Sequence, residues 1–291
     1  MVKNYFSTAK HFFMQTILVP TDFSPNAYNA TRYAIALAKN LKATKIILYN
    51  AFQPYVAQDP ELGLPLQIDL EEFKQLSETG LEKMQQVFQN EVDDTIQLEY
   101  KSDYNVITTG ILEACKNYGT DLIIMGITGS ENKLENAFMG STAIDVSKQS
   151  ELPVIIVPAQ ARYSKLQKIL LALDFKKIGE TTPVAEIKKL LDATNAALDV
   201  LHVEANKAET KTEFINEQNI FDALFNNYNP QYHFIEGENF TETINQFAEE
   251  NKSDLIIVIP KKHGLFEGIF KRSHTKALAF HSHTPIMTIH E

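Results

Sequence analysis

The sequence predicts an α/β fold built twice, as two doubly wound five-stranded parallel-sheet domains in tandem. Three observations predict it. The segments Ile17-Leu-Val-Pro-Thr-Asp22-Phe23 and Ile169-Leu-Leu-Ala-Leu-Asp174-Phe175 lie 152 residues apart, each an apolar run ending in an aspartate. The same offset of 152 carries Leu48-Tyr49-Asn50-Ala51 onto Val200-Leu201-His202-Val203. Asp121-Leu-Ile-Ile124 and Asp254-Leu-Ile-Ile257 match at an offset of 133, so the first copy holds 19 extra residues, the difference between the two offsets.

Within the first copy, strands and helices alternate. Residues 16–19 form an apolar strand. Ser24 and Pro25 then give an N-cap followed by proline at the first helical position, with Tyr33, Ala34, Leu37, Ala38 and Leu41 at helical spacing. Residues 45–51 read as the second strand. Residues 53–68, with Pro54, Pro60, Gly63 and Pro65, read as a long loop without periodicity. A helix over 70–90 is expected to bury Leu70, Phe73, Leu81, Met84 and Phe88. Strands at 95–100, 121–125 and 153–157 and helices at 106–118 and 141–150 complete the copy. The second copy repeats the plan with strands at 168–173, 198–203, 231–235, 254–259 and 285–289. Strands separated by helices imply crossover connections and a parallel sheet covered on both faces.

These periods divide the chain into domains at 14–160 and 165–291, joined by a short polar stretch. Each copy ends in an apolar strand that is expected at an edge of its sheet. Exposed edges invite uncontrolled pairing. Antiparallel pairing of the two terminal strands covers both, so an intrachain pseudo-dimer is expected, with assembly into a homo-oligomer left open.

At 291 residues and 44% hydrophobic content, the chain is large enough for two cores. A formal net charge of −10 argues against nucleic acid and anionic membrane surfaces as partners. The single cysteine, Cys115, excludes an intramolecular disulfide and falls in the helical pattern Ile107, Ile111, Leu112, Cys115, which marks it as a buried structural thiol. No apolar run approaches the roughly 18 residues of a membrane span. Residues 1–13 lack the features of a signal peptide, so a soluble, cytoplasmic protein is expected.

In an open parallel sheet, ligands bind beyond the carboxyl ends of the strands, where the winding reverses. Pro20, Thr21 and Asp22 follow the first strand, Asn50 and Ala51 the second, and Gly126 and Gly129 the fourth; Gly140, Ser141 and Thr142 open the next helix. Glycines let a backbone approach a ligand closely, and the free N–H groups of a helix start suit an anion such as phosphate. Asp22 is placed to accept from ribose hydroxyls or to help hold a phosphate-bound divalent ion. The sequence carries neither G-x-G-x-x-G after its first strand nor G-x-x-x-x-G-K-[ST].

Leu18-Val-Pro-Thr-Asp-Phe-Ser24, Met125-Gly126-x-x-Gly129, Gly140-Ser141 and Leu152-Pro-Val-Ile-Ile-Val-Pro158 resemble the universal stress proteins, specifically the tandem-domain bacterial form. The resemblance spans about 14–291 and implies a Rossmann-like fold of the adenine nucleotide α-hydrolase type. One branch of that family binds ATP through a pattern G-x2-G-x9-G-[ST]. The resemblance therefore implies an adenine nucleotide, ATP or another, with or without Mg. Thr21 and Asp22 would flank the adenosine beside Pro20 and Asn50. Ala51 would line the adenine pocket, and Met125, Gly126, Gly129, Gly140, Ser141 and Thr142 would follow ribose and phosphates. One departure stands out: ten residues, 130–139, separate Gly129 from Gly140 where the pattern has nine.

The second copy departs further. Ile259 and Pro260 stand where Gly126 begins the loop, and Arg272-Ser273 replaces Gly140-Ser141, so no ATP is expected there. Lys261, Lys262, Lys271, Arg272 and His274 make a basic spot, read as a solvated face or an anion site of another kind. Five of the eight histidines, His263, His274, His281, His283 and His290, fall in the last 29 residues and are expected on the surface without a metal. His202, in the place of Asn50, is expected to be packed and hydrogen-bonded. Spacing implies no catalytic triad and no general acid–base pair. The leading expectation is a non-enzymatic, nucleotide-binding stress-response regulator or sensor. A nucleotide-free interaction scaffold and a slow, divalent-ion-dependent ATPase are the alternatives.

Overall fold

A computed structural model describes residues 14–53, 69–127, 141–204, 211–237, 239–260 and 282–291. The first copy contributes β1 (Thr16–Pro20), α1 (Pro25–Leu41), β2 (Lys45–Phe52), α2 (Leu70–Phe88), β3 (Gln97–Tyr104), α3 (Ile107–Tyr118), β4 (Leu122–Ile127), α4 (Ser141–Gln149) and β5 (Val154–Pro158). The second contributes β6 (Lys168–Ala172), a single turn α5 (Ile178–Thr181), α6 (Val184–Thr194), β7 (Ala197–Glu204), α7 (Lys211–Phe225), β8 (Gln231–Glu236), α8 (Phe240–Glu250), β9 (Leu255–Val258) and β10 (Ile286–Thr288). The fold is α/β, as expected. Its strands form one ten-stranded sheet in the order β3-β2-β1-β4-β5-β10-β9-β6-β7-β8.

Within each copy all described pairs are parallel; β5 and β10 alone pair antiparallel, with Ile286 opposite Ile156, Met287 opposite Ile155 and Thr288 opposite Val154. The two terminal strands therefore cover each other's edges, and the sheet runs through the chain's two halves without a break. Two apolar clusters line its faces, and both contain residues of both copies, so the core is shared across the seam. Further contacts hold the linker after β5 against α1. The Asn29 amide donates to the carbonyls of Pro158 and Ala161 at 3.2 and 2.9 Å, Arg162 donates back to Asn29 Oδ1 at 2.8 Å, and Tyr33 meets Tyr163 edge-on at 5.2 Å. His290 Nε2 donates to the carbonyl of Ser147 in α4 at 2.6 Å.

Local chemistry explains the elements. Ser24 caps α1 by accepting from Ala27 N, with Pro25 at the first helical position. Asp121 accepts from the backbone N–H groups of Gln15 and Thr16 at 2.9 and 3.0 Å, and Asp254 does the same for Gln167 and Lys168 at 2.8 and 2.9 Å. The repeated Asp-Leu-Ile-Ile is thus structural: its aspartate ties the start of each copy's first strand to its fourth.

Two expected buried stripes need correction. In α2, Leu81, Met84 and Phe88 are buried together with Ser77, but Leu70 is 48% and Phe73 36% exposed, both ahead of Ser77, the first residue of the helix to be buried. In α3, Ile111 and Cys115 are buried while Ile107, in the first turn, is exposed. The predicted loop over 54–68 lies outside the described residues.

Candidate functional site

The strand order reverses between β1 and β4, and there a cavity of about 200 Å³ opens beyond the strand ends. Pro20, Thr21, Asp22, Asn50, Ala51, Met125, Gly126 and Thr142, predicted from sequence, all line it. Gly129 and Gly140 lie outside the described residues, as does the side chain of Ser141. The cavity is completed by residues that the sequence reading missed, among them Asn26 and Ala27 of α1, Tyr49, Ile107 and Ile111, and Ala143 of α4. Asn26 and Ala27 follow the Ser24-Pro25 start signal, which announced a helix N-terminus at this strand end without being read as part of the site.

The walls are of two kinds. Ala51, Ile107, Ile111, Met125 and Pro20 form an apolar side. Against it stand the first turns of two helices, α1 at Asn26 and Ala27 and α4 at Thr142 and Ala143. Helix starts present N–H groups and a positive dipole end to whatever lies before them. Asp22 is the one charged side chain among the described lining residues. A flat ring bearing a polar or anionic tail matches these surfaces.

Several predicted residues also bond within the wall. Asn50 Nδ2 donates to the Thr21 carbonyl at 2.6 Å, and its Oδ1 accepts from Ser77 at 2.7 Å. Thr21 Oγ1 accepts from Phe23 N at 3.0 Å and reaches Met84 Sδ at 3.4 Å. Phe23 takes the left-handed conformation at φ 62°, which a non-glycine residue seldom adopts, and its ring lies 2.7 Å from where a Cβ on Gly80 would stand. Asp22 Oδ1 accepts from Ser24 N at 3.0 Å. Burial pushes the Tyr49 phenol up, and Asp103 adds to the shift.

Gly126 also changes meaning. A Cβ there would lie 2.5 Å from the Asn26 carbonyl oxygen, so its bare backbone admits the first turn of α1. Close approach is the right reason for glycine at 126; the partner that approaches is α1.

The same strand ends in the second copy are packed differently. Asp174 and His202 are each 1% exposed, and Ile259, in the place of Gly126, is 2% exposed. His202 Nδ1 donates to the Leu173 carbonyl at 3.0 Å, as Asn50 does to Thr21, so this residue is packed and hydrogen-bonded as expected. Phe175 meets Phe214 at 4.7 Å and His202 at 5.6 Å within a larger aromatic cluster. The basic residues from Lys261 to His274, with His281, lie outside the described residues; His283 is exposed, 3.9 Å from Glu249. Cys115 is buried and free, and burial pushes its thiol up to about 12. Among the described residues no helix is long and apolar enough to cross a membrane.

Comparison with known proteins gives this geometry a family. The model of the universal stress protein family matches residues 14–158 and again 165–290. A universal stress protein of Methanocaldococcus jannaschii is 30% identical over 142 residues, 48% of this chain and 80% of that protein. Among solved structures, a universal stress protein from Archaeoglobus fulgidus superposes with a TM-score of 0.72 at 20% identity, over 96% of this chain and 98% of its own. A Pseudomonas aeruginosa protein described as a universal stress protein superposes with a TM-score of 0.61 at 14% identity, over 95% and 93%. Both likenesses speak to the fold alone, and both run through the two copies. With one family model matched twice over almost the whole chain, this protein belongs to the universal stress protein family.

Proposed function

We propose that the first copy binds an adenine nucleotide, ATP or a relative of it, and that the protein acts as a regulator or sensor rather than a catalyst. The observation that carries the reading is the cavity at the β1/β4 reversal, where an apolar wall, one carboxylate and two helix starts converge. Ala51 and Ile111 suit the flat face of a purine. Asp22 suits ribose hydroxyls, which donate to a carboxylate. The first turn of α4 suits phosphate through backbone N–H groups. The second copy is assigned no nucleotide: Ile259 stands in the place of Gly126 and is buried in the apolar core.

Calorimetric titration with ATP, ADP and AMP tests this reading. One site per chain is expected, and Ala51→Leu, which adds three heavy atoms to the apolar wall, should abolish it while leaving the melting temperature within a few degrees. Two equivalent sites, or unaltered binding by Ala51→Leu, would overturn the assignment. Mass spectrometry of small molecules released from protein purified without added nucleotide identifies which one is carried.

A further inference from the structure

A partly buried hydrogen-bonded chain connects α2, which supplies no residue to the described cavity lining, to the turn that carries Asp22. Ser102 Oγ lies 2.6 Å from Ser77 Oγ, Ser77 donates to Asn50 Oδ1 at 2.7 Å, and Asn50 Nδ2 donates to the Thr21 carbonyl at 2.6 Å. The direction of the chain is fixed. The Thr21 carbonyl can only accept, so Asn50 presents its amide nitrogen there and its oxygen to Ser77. The one Ser77 proton is then spent on Asn50, and Ser102 must donate to Ser77. Each donor in such a series polarises the next.

Two other contacts hold the same turn to the same helix. Thr21 Oγ1 reaches Met84 Sδ, and the Phe23 ring sits in the notch at Gly80. Asp22 lies between these two anchored residues.

The second copy shows that the fold does not require this chain. Its register places Phe234 beside His202 as Ser102 stands beside Asn50. There rings stand where the first copy has hydroxyls: His202 lies 5.6 Å from Phe214 and 6.4 Å from Phe234, and its Nδ1 donates to the Leu173 carbonyl. Buried polar groups cost free energy unless every member is paired, and apolar packing of like volume does the structural task at least as well. The polar version occurs in the copy that carries the described cavity.

We propose that Ser77 is a positioning residue of that cavity: through Asn50 it sets the Thr21 carbonyl and with it Asp22, which makes α2 the helix that registers whether the cavity is filled. The proposal rests on the reading that the cavity takes an adenine nucleotide. Ser77→Ala leaves Asn50 Oδ1 without its donor and frees the amide to turn away from Thr21. An imidazole at position 50 would reach the Thr21 carbonyl through Nδ1, as His202 reaches Leu173, and has no amide for Ser77 to orient, so an Asn50→His background should no longer depend on Ser77.

The test is a double-mutant cycle read by calorimetric titration with ATP and AMP, together with hydrogen exchange at the Thr21, Phe23 and Ser24 amides. Ser77→Ala should weaken nucleotide binding roughly tenfold in the native background and by less than about twofold in Asn50→His. It should also speed exchange at those three amides without nucleotide, and addition of nucleotide to the unaltered protein should slow exchange along α2. Equal losses in both backgrounds, or no loss in the native one, would overturn the positioning role. If the unaltered protein binds no adenine nucleotide, the functional reading fails on its own. The exchange measurement then still decides the relay, and unchanged exchange at the three amides overturns it.

Discussion

The carbonyl oxygen of Asn26 stands 2.5 Å from the point where a Cβ on Gly126 would lie. Gly126, which lines the cavity, is therefore a packing residue that lets α1 close over the end of β4. Gly126→Ala should lower the stability of the nucleotide-free protein by about 1–3 kcal/mol, since the clash is with backbone that cannot rotate away. Thermal unfolding without ligand checks this. An unchanged melting temperature would show that α1 gives way freely and that the glycine serves a ligand alone. Loss of binding on substitution at 126 is consequently no clean sign of ligand contact, and Ala51→Leu is the better probe.

Asp22 offers a cleaner test of charge in the cavity. Its Oδ1 accepts from Ser24 N, a bond that asparagine can keep, so Asp22→Asn removes the charge while leaving the turn in place. Hydrogen bonds to an ionised group contribute about 1.5–3 kcal/mol, so nucleotide affinity should fall roughly ten- to hundredfold if ribose hydroxyls meet this carboxylate. Comparison of ATP with 2′,3′-dideoxy-ATP gives the second arm: the analogue should bind weakly to the native protein and be nearly indifferent to Asp22→Asn. Equal sensitivity of both nucleotides would move Asp22 away from the ribose.

Much of this was legible in the sequence, for identifiable reasons. Strands such as Ile17–Val19 and Leu255–Val258 are buried on both faces and read as unbroken apolar runs. Turn and cap residues such as Ser24 and Pro25 act locally, so their sequence signals hold. Residues at strand ends gather at one cleft whatever their separation along the chain, which is why Pro20, Ala51 and Thr142 were found together. What was not legible was how polar side chains divide between ligand and protein. Asn50 reads as a site residue, but its amide is spent on Thr21 and Ser77, a pairing set by a helix 27 residues further on. Helix faces misled in another way: Leu70, Phe73 and Ile107 keep the apolar spacing in first turns where they stand exposed.

Alkaline pH should unfold the chain in a defined window. Burial pushes the Cys115 thiol and the Tyr163 phenol each up to about 12, and raises Tyr33 and Tyr49 as well. In the unfolded chain these groups ionise at their ordinary values, near 9 for the thiol and 10 for the phenols. Folded protein therefore holds more protons than unfolded protein above pH 9, and stability falls as pH rises from there towards 12. Below pH 9 these groups are neutral in both states and add no slope. Urea midpoints measured between pH 7 and 11 should show a plateau and then a decline. Iodoacetamide at pH 8 should leave native Cys115 unmodified and alkylate it only above the urea midpoint. Rapid alkylation of the native protein would show that α3 opens locally.

The antiparallel β5–β10 pair makes a stronger commitment about the whole chain. Ile156 and Met287 are each 0% exposed, and they point into different apolar clusters, both of which cross the seam. A lysine at either position would bury a charge inside a core shared by the two copies, rather than merely unzip an edge. Such a substitution costs at least about 3 kcal/mol unless the ammonium loses its proton. Because Met287 packs in the cluster that holds Ile155, Val157, Leu171 and Ile257, the damage should spread into both halves. Met287→Lys should therefore lower the melting temperature of the full chain in one cooperative calorimetric transition, with hydrogen exchange accelerating in β1 and β6 alike. Residues 14–160 and 165–291 expressed separately should associate when mixed, since each alone leaves an apolar edge strand unpaired. Two separated transitions, or fragments that fold as stable monomers with no affinity for each other, would show that the copies are independent domains and that the shared sheet is incidental to their stability.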